Sequence, residues 1–168
     1  MKKLLVLAIV LSMGFIWTVR QEVQAAAKEP YVIGLPVDLT GPTSFIGKPV
    51  EAVIKMRVDE FNKAGGINGR TLKLVILDNE SAPAKTVLNT KKLIEVDKVI
   101  ACLGYSSSGT TLAAVETAES GETVLYSHAS SDKIWIPTKK WVFNVVPRTM
   151  EACTPMMIDN LIKRGVRH

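Results

Sequence analysis

Histidine and cysteine are scarce in this 168-residue sequence, with two of each, and the scarcity removes whole classes of chemistry. Cys102 and Cys153 have no histidine or acidic neighbours at ligand spacing, so a metal site has no donor set. A nucleophilic serine needs a general base, and only His128 and the terminal His168 are available. The segment nearest to a hydrolase elbow, Gly104-Tyr105-Ser106-Ser107-Ser108-Gly109, places its second glycine one residue late for G-x-S-x-G. Only a His128–Asp132 pair reaching across to these serines would rescue a hydrolase, and the failed spacing argues against it. No enzyme activity is expected. No G-x-x-x-x-G-K-[ST] occurs, and no G-x-G-x-x-G follows the first predicted strand, so phosphate-loop and dinucleotide sites are excluded. No cofactor is expected. Lysine and arginine are scattered rather than clustered, which excludes a nucleic-acid partner.

Long apolar runs are missing too. Leu4 to Trp17 is mostly apolar but too short to span a bilayer comfortably. With Lys2 and Lys3 before it and Val23-Gln24-Ala25 after it, the segment 1–25 reads as a cleaved export signal. No cysteine follows the apolar core to suggest a lipid anchor. Cleavage after Ala25 removes three positive charges and one negative, lowering the formal charge from +5 to +3. About 140 residues remain, enough for one domain with a real core. Export permits a disulfide between Cys102 and Cys153. Their places, in an apolar strand and at a helix start, fit two buried free thiols equally well.

What is present is an alternation of strand and helix. Apolar runs at 31–37, 72–77, 99–103 and 123–126 read as strands, with a further extended run at 141–146. Helical spacing is seen at 50–61, 83–96, 110–120 and 151–164. Inward faces are expected from Val50, Val53, Ile54, Val58 and Phe61 in the first helix, Val87, Leu88, Leu93 and Ile94 in the second, and Leu112, Val115 and Ala118 in the third. Met156, Met157, Leu161 and Ile162 are available for packing in the last. Gly65-Gly66 and Gly121 end helices, Asn68-Gly69 makes a tight turn, and Arg70 is expected to be solvated or salt-bridged. The order implies an α/β domain with a doubly wound parallel sheet.

Such sheets bind ligands outside the C-terminal ends of their strands. The loops there, 38–49, 78–82, 104–109 and 127–132, are rich in serine and small residues. Ser106, Ser107 and Ser108 precede the third helix, whose first N–H groups and dipole favour an anion such as a carboxylate. One serine would suffice as a cap; three suggest a ligand. Ala129 offers a carbonyl to an ammonium, and Ser130 and Ser131 offer hydroxyls on the neighbouring strand end. Asp38 and Asp78 end strands as in a phospho-receiver, but export argues against that, and Asp38 is expected to bond turn amides in Asp38-Leu39-Thr40-Gly41.

The runs "IGLPVDLTGP", "FNKAGGINGRTLKLVILDNESAPAKTV" and the "SSSG" loop before "LAAVETAES" resemble the first lobe of periplasmic branched-chain amino-acid-binding proteins. "AGGINGR" followed by "DNESAPAK" is the most specific part. The resemblance covers residues 30–168. It implies the N-terminal lobe of a type I periplasmic binding protein, with the second lobe missing. It further implies a solute receptor of an ABC importer, with an amino acid or small carboxylate as ligand and an inner-membrane permease as partner. The complete protein would be periplasmic and monomeric. By resemblance, Ser107 meets the ligand carboxylate, Ala129 and Ser131 match the second contact segment, and Phe45 or Ile46 lies near the pocket mouth. His128 stands where the family commonly has proline or a small residue, and the third helix is one residue short before Gly121. With one lobe, affinity is expected to be weak or undetectable. A sensor domain feeding a receptor or kinase is the alternative use of the same lobe.

Overall fold

The computed structural model describes residues 28–146 and 152–166; the segment 1–25 expected to be an export signal and His168 lie outside them. Five strands alternate with helices: β1 (Tyr31–Val37), α1 (Ser44–Lys63), β2 (Leu72–Asp78), α2 (Pro83–Glu95), β3 (Ala101–Tyr105), α3 (Ser108–Ser120), β4 (Val124–Ser127), β5 (Val142–Asn144) and α4 (Thr154–Lys163). A 3-10 turn, Asp132–Ile134, follows β4. The sheet is parallel throughout, with order β2-β1-β3-β4-β5. β1 runs in register with β2 from Tyr31 against Leu72 to Val37 against Asp78.

That order fixes where the helices lie. The chain moves outward from β1 to β2, then crosses back over β1 to β3 and continues in that direction. Right-handed crossovers therefore put α1 on one face and α2 and α3 together on the other. Consistent with this, a β-carbon at Gly34 of β1 would meet Leu93 of α2. The apolar core lies on the α2–α3 side and includes Leu93, Cys102, Tyr105, Ala114, Leu125 and Ile134.

Several expectations about these helices are corrected. The first helix begins at Ser44 rather than at 50, and Pro49 lies inside it. Gly47 lets this first turn pack against the end of β1, because any β-carbon there would overlap the Asp38 carbonyl. Of the five apolar residues assigned inward on α1, only Val58 is buried, and Val53 and Phe61 are exposed. On α2, Leu88 is 64% exposed, while Thr86, Asn89, Thr90 and Leu93 are buried. These polar residues tolerate burial because each is bonded: Thr86 to the Ala82 carbonyl, Asn89 to Asp78 O and Asn79 Oδ1, and Thr90 to Tyr105. On α3, Val115 and Ala118 point inward as expected, with Thr110, Thr111 and Ala114, but Leu112 is exposed.

The "AGGINGR" segment is structural. Ile67 and Arg70 exchange backbone bonds of 2.8 and 3.0 Å around Asn68-Gly69, both with positive φ, a two-residue hairpin turn. Arg70 is neither merely solvated nor salt-bridged: its guanidinium stacks 3.8 Å from the Tyr31 ring centroid, and its Nε donates to Glu29 O. The thiols also differ from each other. Cys102 is buried and Cys153 is exposed, and both are free, so the second is not a buried thiol. α4 has no buried residue, and Met156, Met157, Leu161 and Ile162 are all exposed.

Candidate functional site

In a sheet of order 2-1-3-4-5, the chain reverses direction between β1 and β3, and the crevice outside their C-terminal ends is where such folds take ligands. Asp38 follows β1 there, and Ser106 to Ser108 follow β3. Backbone bonds tie in the next strand: His128 N–H donates to Tyr105 O at 2.9 Å, and Val145 N–H donates to Ser127 O at 3.1 Å.

Ser107 is the N-cap residue of α3, in extended conformation (φ −107°, ψ 145°), yet its side chain makes no capping bond. Its hydroxyl instead lies 2.6 Å from that of Thr110. The first helical bond is Thr111 N–H to Ser107 O. The N–H groups of Ser108, Gly109 and Thr110 therefore have no intrahelical acceptor, and no described residue accepts from them. Ser106 is 6% exposed, and its Oγ has no partner among the described residues. Ser108 is half-buried. The end of α3 thus presents free donors with the positive end of the helix dipole behind them, the arrangement that holds an anion.

The second predicted segment lies at the adjacent strand end. Ala129 is buried, and its N–H donates to Ser127 Oγ at 3.0 Å. Ser130 is exposed, and Ser131 precedes the 3-10 turn, half-buried. Phe45 and Ile46 lie in the first turn of α1 rather than in a loop. Phe45 is 73% exposed. His128 packs its ring edge-on against Tyr126, and its Nδ1 is buried without a partner among the described residues. Burial pushes its pKa below the ordinary value, so the neutral imidazole is the form favoured there.

Sequence reasoning missed the polar network beneath this site. Asp38 does not bond the turn amides after it. Those of Leu39 and Thr40 donate to Asp78 Oδ1 at 2.9 and 3.2 Å. Asp38, 1% exposed, accepts the hydroxyl of Thr43 at 2.8 Å and that of Thr110 at 3.4 Å, both on Oδ2. Two acidic residues at neighbouring strand ends were legible, but which one serves the turn depends on strand register.

The sequence matches the family described as periplasmic binding protein over residues 30–166. The chain belongs to that family. An amino acid binding protein of Pseudomonas aeruginosa is 30% identical over 101 residues, 60% of this chain and 27% of the relative. The leucine-, isoleucine-, valine-, threonine- and alanine-binding protein of the same organism is 29% identical over 71% of this chain and 32% of its own length. Among solved structures, the branched-chain amino acid transporter substrate binding protein of Streptococcus pneumoniae, in complex with isoleucine, is 31% identical. Its TM-score is 0.66, covering 68% of this chain and 33% of that one. A possible leucine/isoleucine/valine-binding protein of Rhodopirellula baltica gives a TM-score of 0.74 at 26% identity, over 83% of this chain and 37% of that one. The fold is that of a type I periplasmic binding protein lobe, and the chain spans about a third of the length of these relatives.

Proposed function

We propose that this chain is the ligand-binding lobe of an extracytoplasmic solute receptor for an ABC importer. It takes a branched-chain or related amino acid, or a similar small carboxylate, without covalent chemistry. The observation that carries the reading is the set of unpaired first-turn amides of α3 at the β1–β3 switch point, left open because Ser107 does not cap them. They receive the carboxylate, with Ser106 Oγ and Ser108 beside them. Ala129, Ser130 and Ser131 line the neighbouring strand end. Phe45 and Ile46 form the rim on α1. A second lobe closing on a hinge would supply the opposite wall and stabilise the closed form by bridging to the ligand. The names of the relatives support both the transport role and the solute class, and with them a periplasmic location and an inner-membrane permease as partner.

A purely binding role is supported by the contacts of the serines. Ser107 engages Thr110 rather than a histidine, and His128 turns its ring to Tyr126, so no base activates a nucleophile. Titration of the isotopically labelled protein with L-leucine tests the proposal. The amide resonances of Ser108, Gly109 and Thr110 should shift, with a dissociation constant in the millimolar range for this lobe. Absence of any shift at these three up to roughly 50 mM, well past a 1 mM dissociation constant, would overturn it.

A further inference from the structure

We infer that the outer face of α2 and α3 is a docking surface for a second copy of this chain, joined about a two-fold axis that runs along the groove between the two helices. The inference is independent of the ligand site and departs from the monomer that the resemblance implies. The two helices follow β2 and β3 and return on the same side of the sheet, so they run parallel to each other. A groove of about 510 Å³ lies between them, with Val87, Lys91 and Ile94 on one wall and Ala113, Glu116 and Gly121 on the other. Gly121 lets the two walls meet at one end, since a β-carbon there would lie 3.0 Å from the Ile94 side chain. Leu88 and Leu112, one turn before Lys91 and Glu116, are exposed.

A two-fold interface presents one patch to its own copy, so every contact occurs twice with the partners exchanged. Lys91 and Glu116 lie at equivalent positions in helices that start at Pro83 and Ser108, so they stand about level on opposite walls. They form no ion pair with each other or with any other described residue. An axis across the helices would set Lys91 against Lys91 and Glu116 against Glu116, which repel. An axis along the groove lays α2 of one copy on α3 of the other. It sets Lys91 against Glu116 of the second copy, and Glu116 against Lys91 of the second copy. The same operation brings Leu88 over Leu112 of the second copy, and Glu95 over Ser120 of the second copy. Charge complementarity therefore selects a second copy, in this orientation, as the occupant. The face is formed by two helices of 13 residues, each about 20 Å long. That is the small end of specific interfaces, so the dimer is weak.

Sedimentation equilibrium of the full chain from about 10 µM to about 1 mM should show monomer and dimer in exchange, with a dissociation constant of roughly 0.1–1 mM. Lys91 and Glu116 are both exposed, so reversing either charge should leave the fold intact. Lys91→Glu and Glu116→Lys should each weaken dimerisation by about tenfold or more, because each sets like charges together twice. Mixed in equal amounts, the two variants should regain association close to that of wild type, since every reversed charge then meets its opposite. A wild-type chain that stays monomeric throughout this range overturns the inference. So does a dimer that both variants keep, which is the result if copies meet through the exposed apolar residues of α4 instead. A mixture no more associated than either variant alone also overturns it, because loss without rescue shows that Lys91 and Glu116 do not face each other.

Discussion

The hydroxyl of Tyr105 lies 2.8 Å from that of Thr90, and both side chains are completely buried between β3 and α2. Each satisfies the other in a place water does not reach, and burial raises the pKa of the Tyr105 phenol well above its ordinary value, with Cys102 adding to the rise and the Thr90 bond opposing it. The pair fastens α2 to the strand that feeds the serine loop.

Tyr105→Phe therefore leaves Thr90 Oγ1 buried and unpaired, at a cost of about 1–3 kcal/mol. Adding Thr90→Val removes the orphaned group, and the double variant should regain part of the loss. Urea unfolding of the two single variants and the double variant checks this. Strictly additive losses would show that the two hydroxyls do not depend on each other.

The thiols should behave as two distinct populations. Burial pushes the Cys102 pKa up to about 12, and the thiolate is the reactive form. Cys153 is exposed. Native protein treated with a thiol reagent near about pH 8 should label quickly at one cysteine, identified as Cys153 by peptide mapping, and at both once unfolded. Rapid native labelling of Cys102 would contradict the burial described for β3.

The alternation of apolar runs and helical spacing was enough to read the doubly wound sheet, because buried parallel strands are apolar almost throughout and glycines mark the helix ends. β1 matches its predicted bounds. The faces of the helices were less legible. Hydrophobicity assigned Leu88 inward, whereas Asn89 and Thr90 are buried through hydrogen bonds to residues 11 and 15 positions away, partners that no local pattern reveals. At the site, the position of the serines was legible and their hydrogen bonding was not. Whether Ser107 caps α3 turns on the rotamer that meets Thr110. Which carboxylate holds the turn after β1 turns on the pairing of Val37 with Asp78.

Asp78 gives the lobe an acid-sensitive joint. It receives the N–H groups of Leu39, Thr40 and Glu80 and the Thr40 hydroxyl at 2.7–3.2 Å. Burial, the largest single influence, pulls its pKa up, but the bonds from Glu80, the Thr40 hydroxyl, and the Leu39 and Thr40 amides together hold it below the ordinary 3.8. The unfolded chain therefore binds the proton first. The stabilisation from Asp78 is fully present above the unfolded value and is lost as pH falls through the lower folded value. Asp78→Asn should be less stable at neutral pH and should show a shallower fall in unfolding midpoint between about pH 5 and about pH 2. Parallel acid profiles for the two proteins would contradict this.

The three free amides of α3 can be tested by deleting one without disturbing the helix. Proline is well suited to the first helical position, because the N–H it lacks has no intrahelical partner there. It also demands an extended residue before it, and Ser107 already has φ −107° and ψ 145°. Ser108→Pro should therefore fold normally, with stability within about 1 kcal/mol of wild type. A hydrogen bond to a charged group contributes about 1.5–3 kcal/mol, so loss of the Ser108 amide should weaken L-leucine binding by roughly tenfold or more. The control is Ser108→Ala, which keeps the amide and removes only the hydroxyl, and should retain most of the affinity. If the proline variant is stable and binds as well as wild type, the carboxylate does not rest on this amide. If alanine and proline weaken binding equally, the Ser108 hydroxyl is the contact and the backbone is not.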